Sequence, residues 1–279
     1  MTYAGVELGG TKCVVLLARG PDEILARETI PTTTPDETLD RIAAILSRWQ
    51  FDALGIASFG PLDLGRGRIL NTPKPGWAGA ELLERFNAAV PVALDTDVNG
   101  AALAEMRWGC GVGTDDFAYV TVGTGVGVGL IANGMPMRGL GHCELGHIRV
   151  ARVEGDAFPG SCPFHGDCVE GLASGSSLAA RVGPENVEEI APDDPLWDSV
   201  AWTLSQLCHA IVCAAAPRTI AIGGGVVENQ PQLLARVQSL LVESLNGFIE
   251  IPGDYVRSPA LGRDAGPLGA IALAMTARR

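Results

Sequence analysis

His147, Cys162, His165 and Cys168 bring two imidazoles and two thiols into one short stretch of the chain. The run Cys-x2-His-x2-Cys offers three ligands from one loop, and His147 adds a fourth from just upstream, which is the number and kind that tetrahedral Zn2+ takes. Three of the four histidines lie between positions 142 and 165, a clustering that core packing does not require. The plainer alternative is a turn bearing reduced thiols. The same segment carries Glu144, in Glu144-Leu145-Gly146-His147, and Glu170, two residues after Cys168, so a bound metal would also fix two carboxylates near a pocket.

A second kind of chemistry is written in glycine. Gly9-Gly10-Thr11-Lys12 separates two apolar runs. Backbone N–H groups of such a turn can approach a phosphate closely, while Thr11 adds a hydroxyl and Lys12 a charge. The spacing is not that of a P-loop, so taken alone an ordinary hairpin turn explains it equally well. Gly123-Thr124-Gly125 repeats the pattern about half a chain later. Aligning Thr11 with Thr124 also aligns Gly10 with Gly123, Val15 with Val128 and Leu17 with Leu130. A third turn, Gly223-Gly224-Gly225, could admit an adenine or a ribose. Three such turns, each at the end of an apolar run, point jointly to a nucleotide cleft.

Asp95-Thr96-Asp97 supplies acid at a junction, where the apolar run Pro91–Leu94 ends and a helical stretch from Val98 through Trp108 begins. A carboxylate there, with Asn99 beside it, can orient a hydroxyl and accept its proton during phosphoryl transfer. Two alternatives stand beside Asp97 as the base: it is merely a helix N-cap, or Asp95 is the base. Asp97 is preferred because it leads directly into the helix, whereas Asp95 still belongs to the strand.

These groups need strands and helices to hold them. Tyr3–Leu8 with Cys13–Leu17, and Phe117–Val122 with Val126–Ala132, read as strand–turn–strand pairs. Ala53–Ala57, Pro91–Leu94 and Arg218–Ile222 read as buried strands of an alternating α/β protein. Thr34 and Glu37 form a capping box around Pro35, followed by an apolar stripe of Leu39, Ile42, Leu46 and Trp49 that belongs to the core. A further helix begins near Pro231.

Composition bounds the rest. The 279 residues can make one large domain or two ordinary ones, and 47% hydrophobic residues are ample for a core. A net charge of −12 without a dense Lys/Arg patch opposes binding to nucleic acid or an anionic membrane. No run approaches the length of a membrane span and no leader pattern opens the chain, so the expectation is a soluble cytoplasmic protein. The remaining cysteines, Cys13, Cys110, Cys143, Cys208 and Cys213, are expected as reduced thiols.

Taken together, V-E-L-G-G-T-K at 6–12, A-S-F-G-P at 57–61, N-T-P-K-P-G-W at 71–77, D-T-D-V-N-G-A-A-L-A-E at 95–105, V-G-T-G-V-G at 122–127, E-L-G-H-I-R-V at 144–150, C-P-F-H-G-D-C-V-E-G-L-A-S-G at 162–175 and I-G-G-G-V at 222–226 resemble the fructokinases of the ROK (repressor, open reading frame, kinase) family over nearly the whole chain. The resemblance implies an α/β, actin-like and hexokinase-like (ribonuclease H-like) duplicated fold, with two domains around a cleft for ATP and a hexose. It divides the chain into residues 1–110, completed by a C-terminal helix at 265–279, and residues 111–264 with the zinc loop. It also implies a homodimer, Mg2+ with the ATP and one Zn2+. It makes Asp97 the general base and places Gly9, Gly10, Thr11, Lys12, Thr124 and Gly125 around the ATP phosphates. Glu7 becomes a magnesium-associated acid. Gly223, Gly224 and Gly225 border the nucleoside with Ser176 nearby, and Asn99, Glu144, His147 and Glu170 meet the sugar hydroxyls. His147 would then serve both zinc and sugar.

Departures from the family pattern bear on the acceptor. Many of these kinases carry Cys-x-Cys-x4-Cys in the zinc loop and Asn before the catalytic Asp. Here His165 replaces the middle Cys and Thr96 precedes Asp97, which favours the fructokinase branch over glucokinase. The short segment Leu64–Arg68 and the pair His142-Cys143 also differ from what the fructokinases lead one to expect. No helix-turn-helix segment is read ahead of Tyr3, so the repressor members fit poorly. The expectation is ATP-dependent phosphorylation of fructose, with glucose or mannose as alternatives; a non-catalytic sugar sensor and a zinc-stabilised interaction module are the readings of other classes.

Overall fold

Every residue of the strand Ala53–Ser58 is buried, as befits a parallel strand covered on both faces. The computed structural model describes residues 1–86 and 89–277. Its first elements are β1 (Tyr3–Leu8), β2 (Lys12–Gly20), β3 (Glu23–Pro31), α1 (Pro35–Leu46), β4 (Ala53–Ser58), β5 (Leu62–Asp63), β6 (Arg68–Ile69), α2 (Leu82–Arg85), β7 (Val92–Thr96) and α3 (Asp97–Trp108). There follow β8 (Phe117–Val122), β9 (Val126–Ala132), β10 (Met135–Pro136), α4 (Val169–Ala173), α5 (Gly175–Val182), α6 (Leu196–Ala215), β11 (Ile220–Gly223), α7 (Gly225–Asn229), α8 (Gln232–Leu245), β12 (Val256–Arg257) and α9 (Ala265–Ala274). Residues 278 and 279, the end of the helix expected at 265–279, lie outside the described residues.

The chain forms two compact units. One comprises Met1–Gly113, Pro136–His142 and Ala260–Arg279, the other Thr114–Met135 and Cys143–Pro259. The first holds a five-stranded sheet of order β3-β2-β1-β4-β7, in which β1, β2 and β3 are antiparallel neighbours and β1, β4 and β7 run parallel. The second holds a sheet of order β10-β9-β8-β11-β12, again an antiparallel β8–β9 hairpin beside parallel β11 and β12. This repetition is the duplicated actin-like design. Among the described residues no helix is long and apolar enough to cross a membrane.

Each unit has its own core. In the first, Val6, Leu8, Leu54 and Ile56 of the sheet meet Leu39, Ile42 and Leu46 of α1. Trp49 of the expected stripe is partly buried beyond the helix end. On the other face α9 is buried along almost its whole length, which explains why its sequence is apolar all round. In the second unit α6 and α8 pack Leu204, Leu207, Ile211, Leu233, Val237 and Leu241 against Val120, Leu130 and Ile222.

Two local expectations need correction. Thr34 is the N-cap of α1, but its side chain makes no capping hydrogen bond. The Glu37 carboxylate instead accepts the hydroxyl proton of Thr33 at 2.8 Å, and Thr38 Oγ1 accepts the Thr33 N–H. A threonine one step outside the helix thus takes the partner expected of Thr34. The third glycine turn does not merely precede the helix at Gln232: it opens a short helix, α7, at Gly225.

Candidate active site and metal centre

In the first unit, Leu8 pairs with Ser58 and Ser58 with Thr96, so β1, β4 and β7 end level with one another. The Gly9–Lys12 turn and Asp97 therefore emerge from the same carboxyl edge of the parallel strands, the edge where α/β sheets hold ligands. Asp97 is the first residue of α3, and capping falls to its neighbour: Thr96 Oγ1 accepts the Asn99 N–H at 3.2 Å. The N-cap alternative for Asp97 is thereby removed. Asp97 Oδ1 accepts the Val98 N–H at 2.9 Å, and the residue is half-buried.

Asp95 is held quite differently. It is fully buried in β7, with Oδ1 accepting the Thr96 N–H and the Asn99 Nδ2–H, each at 2.8 Å, and with Oδ2 paired to Arg138. A carboxylate so enclosed is badly placed to take a proton from a substrate hydroxyl. Asn99, expected at the sugar, is itself buried and gives its amide to Asp95. Arg138 escaped sequence reading because its contact spans 43 residues and nothing local marks it.

Glu7 lies next to Asp97 electrostatically. Burial, then the Asp97 carboxylate, pushes Glu7 up to about 7 against the opposing charges of Lys12 and Arg27. The carboxyl lies against the first turn of α9, where a Cβ at position 266 would come within 2.0 Å of Glu7 Oε1; glycine is what makes room. In the turn itself, Gly9 N–H bonds to Lys12 O at 3.1 Å and Thr11 O accepts the Thr32 N–H at 2.9 Å. Gly10, Thr11 and Lys12 are exposed.

The second unit gathers most of the remaining expected nucleotide residues. Gly123 O accepts the Gly175 N–H at 2.7 Å, and Thr124 O accepts the Ser176 hydroxyl at 2.7 Å, so the Gly123–Gly125 turn meets the start of α5. Ser174 caps that helix by accepting the Ser177 N–H. Gly224, at φ 93°, lies against β8: a Cβ there would fall 2.6 Å from Val122 O. Thr124, Gly125, Ser176 and the Gly223–Gly225 turn thus converge. Glu170 joins them, its Oε2 accepting the Val126 N–H at 3.1 Å. Glu144 is exposed and accepts the His147 N–H through its carbonyl at 3.0 Å.

His147, Cys162, His165 and Cys168 form one cluster, their ligand atoms all within 4.8 Å of one another. His147 Nδ1 lies 3.7 Å from Cys162 Sγ and 3.6 Å from Cys168 Sγ, and His165 Nδ1 lies 3.7 Å from Cys162 Sγ. A tetrahedral Zn2+ with bonds of about 2.3 Å to sulfur and about 2.05 Å to nitrogen sets its S···N edges at about 3.6 Å. The four residues therefore fit that ion. A Cys162–Gly166 bridge folds the loop and an Arg149–Cys168 bridge ties it to the segment after His147. The nitrogen of His147 that faces both sulfurs is Nδ1.

Residues 3–277 match the model of the ROK family. The fructokinase of Zymomonas mobilis subsp. mobilis is 40% identical over 293 residues, covering 99% of this chain and 97% of its relative. The glucokinase of Halalkalibacterium halodurans is 30% identical, covering 96% and 93%. Among solved structures, a ROK family glucokinase from Streptomyces griseus in complex with glucose and AMPPNP superposes with a TM-score of 0.79 at 26% identity, covering 99% of this chain and all of that one.

Proposed function

Because the chain belongs to the ROK family, we propose that it is an ATP-dependent sugar kinase that converts D-fructose to fructose 6-phosphate with Asp97 as general base. The observation that carries this reading is the division of labour at the β7–α3 junction. Thr96 caps the helix and Asp95 is enclosed by Arg138 and Asn99, which leaves Asp97 as the half-buried carboxylate at the carboxyl edge of the sheet. Fructose is preferred to glucose or mannose because identity is 40% to a fructokinase and 30% to a glucokinase.

In this reading the C6 hydroxyl gives its proton to Asp97 as its oxygen bonds to the γ-phosphorus. The bond from that phosphorus to the bridging oxygen breaks, and ADP leaves with the electron pair. Glu144, His147 and Glu170 accept hydrogen bonds from sugar hydroxyls. Asn99 orients the junction through Asp95. Gly9, Gly10, Thr11 and Lys12 contact the phosphates from one unit, and Thr124, Gly125 and Ser176 from the other; Gly223, Gly224 and Gly225 border the nucleoside. Mg2+ travels with the ATP and neutralises phosphate charge, with Glu7 the acid assigned to it. Zn2+ is assigned to His147, Cys162, His165 and Cys168, where it holds the loop before Glu170 and fixes the tautomer of His147. A cytoplasmic homodimer completes the proposal, its assembly checked by sedimentation.

The test is an acceptor panel with ATP, read as ADP release. Release with fructose and not without a sugar supports the kinase. Binding of sugar with no release would identify a sensor, and a higher kcat/KM for glucose than for fructose would overturn the choice of acceptor.

A further inference from the structure

The segment Asn71–Trp77 carries no role in the chemistry described so far, yet the fold invests in holding it. Trp77 is fully buried, its Nε1–H donating to Thr33 O at 2.9 Å and its ring edge-on to Phe59 at 5.3 Å between centroids. Trp77 N–H closes a turn onto Lys74 O at 3.3 Å, and Gly79 N–H returns to Ile69 O at 2.9 Å. What this anchored loop presents is Lys74. Its Nζ donates to Gly10 O at 2.5 Å, reaching back 64 residues to the first glycine turn.

The partner matters. In a chain of net charge −12 carboxylates are abundant, yet this ammonium rests on a peptide oxygen. A carbonyl accepts one proton and cancels none of the positive charge, so the charge and two further N–H donors remain for an anion. Beside it Gly10, Thr11 and Lys12 are exposed, and a triphosphate is the anion that such a turn suits.

We propose that Lys74 is a further catalytic residue, its ammonium contacting the γ-phosphoryl group of ATP from the Gly10 side of the turn and stabilising the charge on its oxygens during transfer. The proposal rests on the kinase reading above. It predicts an electrostatic role in addition to any bracing of the turn, and a preference for the triphosphate over the diphosphate.

Lys74→Met, Lys74→Gln and Lys74→Arg separate the possibilities. Glutamine can still donate to Gly10 O but carries no charge. Expected are falls in kcat of about 100-fold for both Met and Gln, as for removal of one transition-state donor, with partial recovery in Arg. Affinity for the ATP analogue AMPPNP with Mg2+, measured by calorimetry, should weaken several-fold while affinity for ADP changes little. A Gln variant with wild-type kcat would reduce Lys74 to a brace, and equal losses for AMPPNP and ADP would indicate collapse of the turn; either result overturns the proposal. The nucleotide measurement needs no sugar. If the wild-type protein phosphorylates none, the comparison of AMPPNP with ADP still decides whether Lys74 reads the γ-phosphate, and failure of the wild type to bind either nucleotide overturns both readings.

Discussion

The guanidinium of Arg138 closes on the buried carboxylate of Asp95, an acid with no exposed surface paired to a base whose side chain is 48% exposed. Arg138 sits on Pro136–His142, a stretch that belongs to the first unit although it begins at the last residue of β10. His142 holds the far end of that stretch, its Nε2 accepting the Leu62 N–H at 2.9 Å. Removing the arginine takes the counter-charge from a carboxylate that has no exposed surface. Because water reaches the guanidinium, the cost should fall below the range for fully buried pairs, at about 2 kcal/mol. Arg138→Met is expected to lose that much by urea unfolding. Adding Asp95→Asn should recover part of it, a non-additivity that two independent sites would not show.

Asp97→Asn isolates chemistry from folding. Thr96 supplies the cap, so helix α3 should survive and the unfolding midpoint should hardly move. Turnover with fructose is expected to fall by about 100-fold or more while AMPPNP still binds. The reverse pattern belongs to Thr96→Ala, which removes the cap at a cost of about 1 kcal/mol. Retention of full turnover by the asparagine variant would return attention to Asp95.

With Zn2+ at the His/Cys cluster, as proposed above, its removal should act on both stability and catalysis. Cys162→Ser and Cys168→Ser are each expected to purify with little zinc by plasma emission spectrometry, and chelation of the wild type should lower its melting temperature. Glu170 follows the metal loop directly and holds the β9 amide of Val126, so loosening the loop should also raise KM for the sugar. Unchanged zinc content in both variants would remove the site.

Acid stability should depend on Asp156. This carboxylate is paired with Arg181 at 2.7 Å, with side chains 14% and 13% exposed, and Phe158 N–H and Ser199 also donate to it. The hydrogen bond from Arg181 is the main cause that holds its carboxyl well below the ordinary 3.8, against the opposing effect of burial. A depressed pKa means that the folded protein binds this proton less readily than the unfolded chain does. The stabilisation is therefore complete at pH values above 3.8 and is lost as the pH falls from there towards the folded-state value. Asp156→Asn should be less stable than the wild type at pH 7, and the gap should narrow in acid. A gap independent of pH from 7 down to 3 would show that the charge is not what stabilises.

Much of the fold was legible in one dimension because the relevant signals are local. The hairpins around Gly9–Lys12 and Gly123–Gly125, the buried strand at Ala53 and the helix after Asp97 all follow from apolar runs punctuated by glycine or by a capping residue, and each lies where the spacing places it. The His/Cys cluster was equally readable, since three of its four residues fall within seven consecutive positions. The Thr34–Glu37 box failed for a reason of the same range: Thr33, one residue away, competes for the same carboxylate.

What the sequence determined by itself was the inventory: which acids, thiols, imidazoles and glycine turns exist, and to which family their order belongs. The tertiary structure alone decided how the two aspartates of Asp95-Thr96-Asp97 differ, because that depends on an arginine 43 residues away. It likewise decided that Lys74 meets Gly10 and that a glycine at 266 makes room for Glu7. Burial and charge pairing are properties of neighbours in space. A residue's chemistry is announced by its type, but the proton affinity and reach of that residue are set only once distant segments have packed around it.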